Sequence, residues 1–365
     1  MENLQKIARI EAIGLSLAVL SNNVIFNTTS IIFNSCGSGS WLSVIFLSII
    51  SLIFMFIVLA LYKVFPTYDL LDISKYLGGK SLKYIVAILY VIFFTAFSII
   101  CLRYFASDLH VIYFPGYSYL FLILLVFVPV VISTRTGLKA IYGTNLVVIP
   151  ITVLSTFLLF FISIRDFSWQ RLFPIFGYGA KNLFITQSIN LFTFNIIGYL
   201  YFLPPFLKDT KDYKKISIFT IIICGLYYLL TILALTMTFA YGFKADESFS
   251  LYLIARLATL GRFFQRIDAV FFLVWILAFL SFLSFNIYLV TYIIKKSFEL
   301  SSSNELVYSI SVIIIGGSLV FANIANVNSF TQSIFRPFTF ILIFCMSFVI
   351  LLIANFKKRR STKWN

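Results

Sequence analysis

Polar side chains interrupt the hydrophobic stretch 181–206, KNLFITQSINLFTFNIIGYLYFLPPF, at spacings that suit ligand binding. They are Gln187, Ser188, Asn190, Thr193 and Asn195, followed by Gly198 and by Pro204-Pro205 at the end. The stretch is long enough to cross a membrane, yet lipid offers no hydrogen bonds to freed backbone groups. We therefore predict a discontinuous helix that lines a site for a small ligand.

A matching interruption lies in the first hydrophobic stretch, 10–33. Ser21-Asn22-Asn23 falls in its middle, and Asn27-Thr28-Thr29 follows a turn later. Broken helices expose backbone N–H and C=O groups, and half-helix ends add partial charge. Asn and Ser also form ordinary hydrogen bonds between membrane helices, and this packing role is the alternative interpretation.

The composition indicates a membrane protein that crosses the bilayer many times. The chain is 61% hydrophobic and 11% charged, with a mean hydropathy of +1.01. Its net charge of +15 fits Lys and Arg flanking membrane spans, because no soluble basic module suited to nucleic acid is present. The four Cys are scattered singly, so neither zinc nor a disulfide framework is predicted. The N-terminus lacks a small-residue cleavage site after its first apolar run, which favours a retained first span.

Hydropathy predicts ten spans, and an even number places both chain ends on one side. The predicted spans are 10–33, 40–62, 82–105, 118–133, 138–164, 181–206, 215–242, 264–294, 305–323 and 331–356. About two thirds of the Lys and Arg fall in the segments on the side of the N-terminus, which predicts that both ends are cytoplasmic. The C-terminal Lys357–Arg360 run can act as a stop-transfer flank or bind anionic lipid.

Ten spans divide into two halves of five, and an odd number per half inverts the second half. Such inverted repeats place the site where the first helix of each half is broken, here spans 1 and 6. We predict an all-α, single transmembrane domain with repeats at about 10–164 and 181–356. Residues 66–81 predict an amphipathic helix on the inner face. Residues 243–263 predict another on the outer side, as a cap over a vestibule or as a plain connector.

Enzymatic chemistry has no residues to support it. The only His, His110, lies in a predicted outer loop without a nucleophile or carboxylate at a telling spacing, and no phosphate-binding loop is present. No Asp or Glu lies at the midplane of a span, which argues against simple proton symport. Arg103, and Arg266 with Asp268, fit charged anchors at span ends, with a substrate site as the alternative interpretation. We predict no metal and no cofactor.

The predicted pocket takes amides from spans 1 and 6, an apolar wall with one hydroxyl from span 3 and two hydroxyls from span 8. The candidate ligand-binding residues are Asn22, Asn23, Val24, Phe97, Ser98, Thr193, Asn195, Ile196, Gly198, Ser281 and Ser284. Hydroxyls of spans 1 and 8 can also hold a sodium ion, although Ser in an apolar helix is usually a packing residue.

Eight short motifs occur in the order and at the depth of a known family. They are Trp41-Leu42-Ser43, Phe65-Pro66, Tyr76-Leu77-Gly78-Gly79-Lys80, Leu102-Arg103-Tyr104-Phe105, Gly137-Leu138-Lys139-Ala140-Ile141, Leu172-Phe173-Pro174-Ile175-Phe176-Gly177-Tyr178-Gly179, Phe202-Leu203-Pro204, and Arg266-Ile267-Asp268 through Trp275-Ile276. On these motifs the chain resembles the spore germination permease family, the B subunits of GerA-type nutrient germinant receptors, within the amino acid–polyamine–cation transporter superfamily.

The resemblance implies a LeuT-like fold and a receptor subunit in the inner membrane of the spore. It implies a small, typically amino-acid-like germinant, and A-type and C-type partner subunits. The family usually has a glycine-rich break followed by Leu-Pro in span 1, where this chain has Asn22-Asn23-Val24 and Thr28-Thr29. It often has Gly-x-Glu in span 6, where this chain has Ile196 and Gly198. These departures make a zwitterionic amino acid less secure as the ligand.

Three functional hypotheses stay open at this point. The first is a ligand-sensing receptor subunit that shifts between conformations. The second is a working amino acid or cation symporter of the same superfamily. The third is a structural membrane partner of the A-type subunit with a degenerate pocket.

Overall fold

The computed structural model describes residues 6–25, 28–239, 250–257, 267–300 and 304–363, and this part of the chain is almost entirely helical. Seven of its helical stretches are long and apolar enough to cross a membrane. Two shorter apolar helices match the predicted short spans 4 and 9. The helix that begins span 1, Arg9–Ile25, completes ten.

The helices follow the predicted spans closely, because bilayer thickness sets the length of each. Span 1 comprises Arg9–Ile25 and Thr28–Cys36, span 2 Ser40–Tyr62, span 3 Leu70–Ile112, span 4 Tyr119–Arg135, span 5 Leu138–Ser163, span 6 Lys181–Phe206, span 7 Asp212–Thr238, span 8 Ile267–Phe298, span 9 Asn304–Val320 and span 10 Ile324–Arg360. Within the predicted outer connection 243–263, the structure describes one helix, Ser250–Leu257.

In span 1 the structure describes two helices, Arg9–Ile25 and Thr28–Cys36. The predicted interruption between them, at residues 26 and 27, lies outside the described residues. Asn22 and Asn23 lie within the first of the two helices.

Span 6 is discontinuous in a different way, because its backbone changes helix type three times. A π-helical turn, Lys181–Ile185, leads into a 3₁₀ segment, Thr186–Phe194. A short α-helix, Ile196–Leu200, follows after Asn195, and a last 3₁₀ turn runs from Pro204 to Phe206. Long 3₁₀ segments are uncommon because their hydrogen-bond geometry is poorer, and within a helix they often mark a hinge.

The predicted amphipathic helix at 66–81 is confirmed, and it is continuous with span 3. Asp69 caps its start, since its Oδ1 accepts a hydrogen bond from the Asp72 backbone N–H at 3.0 Å. Gly78 and Gly79 then leave helical geometry, with Gly79 at a φ of +69°. Glycine takes this conformation without the steric cost that a side chain would add, so the chain turns here from the amphipathic helix into the span.

Both chain ends lie on one side of the bundle, which we call the terminal face. Near the start of the chain, Ile7 N–H donates to Phe206 O at 2.8 Å, and Lys208 N–H donates back to Ile7 O at 3.0 Å. Near the other end, Asn355 Nδ2 donates to Leu61 O at 2.6 Å, and Lys358 Nζ donates to Val64 O at 2.7 Å. Lys358, part of the C-terminal basic run, thus caps the carbonyl end of span 2.

The opposite face carries a tight contact between the loop before span 6 and the corner between spans 1 and 2. Ser38 Oγ donates to Pro174 O at 2.7 Å, and Tyr178 N–H donates to Cys36 O at 3.3 Å. A Cβ atom added to Gly177 would lie 1.9 Å from Cys36 O. We call this contact the outer clamp; it joins the second half of span 1 to the start of span 6.

Candidate functional site

Asn22 places a buried amide on the first helix of span 1. Its side chain is fully buried, and its Nδ2 donates to Cys101 Sγ on span 3 at 3.4 Å. Its Oδ1 is also buried and has no hydrogen-bond partner in the described part of the chain. The side chains of Asn23 and Val24, the other two predicted site residues of span 1, lie outside the described set.

Thr193 holds the equivalent place on span 6. Its carbonyl accepts a hydrogen bond from the hydroxyl of Tyr228 on span 7 at 3.3 Å. Its own Oγ1 is buried and finds no partner among the described residues. Asn195, Ile196 and Gly198 follow along span 6, and all three are buried.

Phe97 forms the predicted apolar wall, and it does so within a cluster of rings. Its ring centroid lies 5.5 Å from that of Phe282 on span 8 and 5.9 Å from that of Phe335 on span 10. Phe192, next to Thr193, lies 6.3 Å away in an edge-on orientation. Phe97 also links the two polar ends, because Cys101, the partner of Asn22, is one turn further along span 3.

The predicted hydroxyls of spans 3 and 8 form hydrogen bonds within the protein. Ser98 Oγ donates to Phe94 O at 2.9 Å, and Ser284 Oγ donates to Leu280 O at 2.8 Å. Ser281 Oγ donates to Asn145 Oδ1 on span 5. The structure thus brings Asn22, Phe97 and Thr193 around one region, while these three serines serve helix packing.

Asn286 on span 8 is a buried polar residue that the sequence analysis missed. Its Oδ1 accepts a hydrogen bond from Tyr199 on span 6 at 2.8 Å. Its Nδ2 donates to Phe94 O on span 3 at 2.8 Å and also to Ser98 Oγ. Asn286 therefore joins spans 3, 6 and 8 below the ring cluster. An Asn in an apolar helix is the signal that marks it in the sequence.

Arg336 on span 10 is the second residue that the sequence analysis missed, although its charge marks it clearly in an apolar stretch. It is the only charged residue between Glu305 and Lys357, and its side chain is 4% exposed. Its NH1 donates to Asn190 Oδ1 on span 6 at 2.9 Å. Asn190 Nδ2 donates to Gln187 Oε1, and Gln187 Nε2 donates to Ser35 Oγ on span 1 at 2.6 Å. One chain of hydrogen bonds thus connects spans 10, 6 and 1.

A buried ionic cluster closes the terminal face below the site. Lys296 Nζ, near the end of span 8, lies 2.7 Å from Asp69 Oδ2 and 2.6 Å from Asp72 Oδ2. The Tyr292 hydroxyl donates to Asp69 Oδ2 at 2.7 Å. Burial alone would raise the pKa of Asp69, but the Lys296 ammonium and these hydrogen bonds hold that pKa below its ordinary value. Leu70 N–H donates to Tyr201 O at 3.2 Å and so ties this cluster to span 6.

Charged residues at the opposite face act as anchors. Arg103 donates to Ala322 O at 3.2 Å and lies 4.0 Å over the Tyr119 ring. His110 lies in the last turn of the helix of span 3 rather than in a loop, and its Nδ1 is 2.9 Å from Tyr117 O. Asp268 is buried at the start of span 8, while Arg266 lies outside the described residues.

In the described ranges, no group of three or more His, Cys, Asp or Glu side chains lies close enough together to bind a metal ion. The four Cys are free thiols.

A small apolar crevice opens near the terminal face between spans 1, 6 and 8. It is lined by residues that include Leu15, Tyr199, Phe202, Phe206 and Tyr288. It lies apart from the polar interruptions of spans 1 and 6.

Comparison with solved structures confirms the arrangement of the spans. The chain is similar to a Na⁺-coupled sialic acid symporter in its substrate-bound, outward-open state. The TM-score is 0.62 at 12% identity, and the match covers 92% of this chain and 78% of that chain. At this identity the likeness shows the fold alone, which is the predicted LeuT-like 5+5 inverted repeat.

Two curated proteins that are similar to this chain are both spore germination proteins. The chain is 21% identical over 238 residues to spore germination protein YndE of Bacillus subtilis (strain 168), over 65% of this chain and 66% of that protein. It is 23% identical over 244 residues to spore germination protein B2 of the same organism, over 66% of each chain. The matches span just under two thirds of the length of each relative.

A family profile extends this likeness over most of the chain. The profile described as spore germination protein, of permease type, matches residues 12–325, from span 1 to the start of span 10. Family and fold are thus of the permease or transporter type, in a protein that crosses the membrane many times. The chain belongs to the spore germination protein family.

Proposed function

We propose that this protein is the ligand-sensing subunit of a nutrient germinant receptor. It lies in the inner membrane of the spore, with its terminal face in the cytoplasm, and it binds a small molecule between the interruptions of spans 1 and 6. Its predicted partners are A-type and C-type receptor subunits. Family membership and the transporter-type fold support this proposal.

Two unbonded polar atoms carry the proposal. Asn22 Oδ1 and Thr193 Oγ1 are buried, and neither has a partner in the described ranges. Buried polar atoms are almost always hydrogen-bonded, and leaving one unsatisfied costs about 1–3 kcal/mol. One such atom lies on each of the two broken helices. A ligand that supplies hydrogen bonds to both atoms would offset this cost and draw the two helices together.

We expect the ligand to produce a signal by binding one conformation of the protein more tightly than another. A ligand shifts a conformational equilibrium only by its difference in affinity between the two states. Asn22 lies on the first helix of span 1, and Thr193 lies on the 3₁₀ segment of span 6. The conformation in which both atoms reach the ligand is therefore the one that it favours, and the partner subunits would respond to the changed surface.

Thr193→Val tests the site with little risk to folding. The change removes the hydroxyl and keeps the shape, and no described protein hydrogen bond is lost. We expect normal accumulation in spores but at least about a tenfold higher germinant requirement, since a lost ligand hydrogen bond is worth about 1.4 kcal/mol or more. Asn22→Leu should abolish the response at limiting nutrient. Thr231→Val is the matched control, because the Thr231 hydroxyl bonds Tyr227 O within its own helix at 2.8 Å.

Two outcomes would contradict the proposal. Normal germination of both Thr193→Val and Asn22→Leu spores at limiting nutrient would exclude a ligand pocket formed by these two residues. Sodium-dependent uptake by the purified protein in liposomes would favour the symporter hypothesis instead. The hydrogen bonds that Ser281 and Ser284 make within the protein leave fewer hydroxyls on span 8 for a sodium ion.

A further inference from the structure

Asp108 is a buried carboxyl group that the proposed ligand site does not use. It lies near the end of the long helix Leu70–Ile112, just beyond the predicted outer end of span 3 at residue 105. Asp108 is 1% exposed, and neither of its carboxyl oxygens has a hydrogen-bond partner in the described part of the chain. The hydroxyl of the adjacent Ser107 is also buried and finds no partner there.

Helix geometry places Asp108 on the side of span 3 that faces the site. It follows Cys101, the partner of Asn22, by seven residues, which is almost two full turns. The two side chains therefore lie on the same side of the helix, about 10 Å apart along its axis. Phe105, between them, stacks on Phe279 of span 8 at 4.1 Å. Asp108 thus lies between the site and the face opposite the terminal face, which we call the outer face.

Two charged or titratable residues on the same helix are near Asp108 in sequence, and both interact with other groups. The Arg103 guanidinium donates to Ala322 O at 3.2 Å. The Nδ1 atom of His110 lies 2.9 Å from Tyr117 O. Neither residue therefore serves as a partner of the carboxyl group.

The other spans packed against the outer half of span 3 place no Lys or Arg beside Asp108. Spans 4 and 9 carry Arg135 and Glu305 only at their ends near the terminal face. Span 8 has one charged residue before 295, Asp268, which is itself an acid. Span 10 has its first charge at Arg336, next to Phe335, which is level with Phe97. The other titratable groups at this end are tyrosines, which carry no positive charge in either form: Tyr104, Tyr113 and Tyr119.

A buried carboxylate without a partner is costly, so such a group tends to stay in its neutral, protonated form. The conformation described here therefore favours a proton on Asp108. A conformation in which water reaches the outer end of span 3 favours the carboxylate instead. A path that opens along span 3 from the outer face to Asn22 hydrates Asp108 first.

We propose that Asp108 is a proton-binding site that links closure of the outer face to pH. The closed conformation holds a proton on the carboxyl group, and opening releases that proton to the water on the outer side. A low outer pH then favours the closed conformation, because the proton binds that conformation more tightly. This inference goes beyond the proposed function, since it concerns a proton and not the germinant.

Infrared spectroscopy of the purified full-length protein in an ester-free detergent tests the protonation directly. We expect the wild type at neutral pH to show the carbonyl stretching band of an undissociated carboxylic acid, and Asp108→Asn to lack it. Asp166→Asn is the control, because Asp166 is exposed on the same side of the bundle and should contribute no such band. If Asp108→Asn does not fold, Asp108→Leu replaces it. Equal acid bands in the wild type and the Asp108 variant would overturn the proposal.

Thermal unfolding tests the same group through stability. Asp108→Asn, which is neutral at every pH, is expected to unfold at a higher temperature than the wild type near neutral pH. The carboxyl group of the unfolded wild type is ionised there, and folding must return a proton to it. Below about pH 4 the unfolded carboxyl group is protonated as well, so the difference should vanish. A variant that unfolds at a lower temperature near neutral pH would overturn the proposal.

The link to opening is tested by the reaction of Cys101 with a water-soluble methanethiosulfonate, measured by peptide mass spectrometry. Cys101 is buried below Asp108, so the reagent reaches it only when the outer half of the bundle opens. The same thiol reacts in the wild type and in Asp108→Asn, and the ratio of the two rates therefore cancels the ionisation of the thiol. We expect this ratio to rise with pH, by at most about tenfold per pH unit because one proton is released. A ratio that stays constant with pH would exclude the link.

Discussion

Gly198 has too little space beside it for a side chain unless span 10 adjusts. A Cβ added at this position would lie 2.8 Å from Ile343 Cδ1 and 3.2 Å from Ile343 Cγ1. Span 10 thus packs directly on the backbone of span 6 here. Gly198 therefore serves as a helix–helix contact between spans 6 and 10.

Gly198→Ala is expected to lower the unfolding temperature, because Ile343 must move to admit the methyl group. Overpacking of this kind costs about 1–3 kcal/mol. Ile343→Val removes the Cδ1 atom, so the double variant should regain much of the loss. Gly143→Ala is the control, since an added Cβ there meets nothing within 4 Å. A double variant as unstable as Gly198→Ala alone would contradict this explanation.

Individual site residues were harder to predict than their helices. Asn22 contacts Cys101, one turn from Phe97, and Phe97 contacts Phe192 beside Thr193, whereas Ser98, Ser281 and Ser284 bond within the protein. A helical Ser can bond the carbonyl four residues earlier, so its presence alone does not indicate a pocket. Arg336 was detectable as a lone charge in a long apolar run, yet its hydrogen bond to Asn190 depends on helix packing that no local pattern specifies.

At the scale of elements, the outer clamp holds the loop before span 6 against the corner between spans 1 and 2. Gly177 has a φ of +49°, and Gly37 opposite it has a φ of +59°. The two backbones meet closely enough that Cys36 O occupies the place of a side chain at Gly177. The second half of span 1 and the start of span 6 are therefore in direct backbone contact.

Gly177→Ala is expected to disrupt the outer clamp and to lower the unfolding temperature strongly. Two effects add there, the positive φ and the 1.9 Å contact with Cys36 O. Gly179→Ala separates them, because Gly179 has a φ of +109° but open space around its Cβ position. The φ effect alone costs about 1–2 kcal/mol. Equal losses in the two variants, measured by thermal unfolding, would show that the contact is unimportant.

The span bounds were predictable because hydropathy and bilayer thickness act locally along the chain. Span 2 begins at Ser40 and ends at Tyr62, as the hydropathy predicts. The irregular backbone of span 6 was also predictable, from clustered amides and hydroxyls. The succession of π, 3₁₀ and α turns within it was not, because no local sequence pattern specifies them.

At the scale of the whole molecule, Lys296 forms ion pairs with Asp69 and Asp72 at the terminal face. The stability of the folded protein therefore depends on pH. The pKa of Asp69 in the folded protein is below its ordinary value of about 3.9. A lowered carboxyl pKa contributes stability that is fully present above the ordinary value. That contribution is lost as the pH falls through the folded value, when Asp69 takes up a proton.

Asp69→Asn is therefore expected to lower the unfolding temperature at neutral pH. Breaking a buried ion pair costs up to about 3–5 kcal/mol, and less here because Asp72 still pairs with Lys296. The gap between variant and wild type should narrow as the pH falls below about 4, since the wild type then loses the same charge. Asp166→Asn is the control, because Asp166 is exposed. A gap that stays constant across the pH range would exclude the charge as its cause.

The pairing of Ile7 with Phe206 and Lys208 sets an order on biosynthesis. Residues 6–8 leave the ribosome before spans 1 to 6, while their partners lie at and just after the end of the sixth span. Lys6 Nζ likewise reaches Pro205 O, at 2.7 Å, only once that span is in place. The segment at the front of the chain must therefore wait, unpaired, through insertion of the whole first half. These contacts of the terminal face can therefore form only after the sixth span is in place.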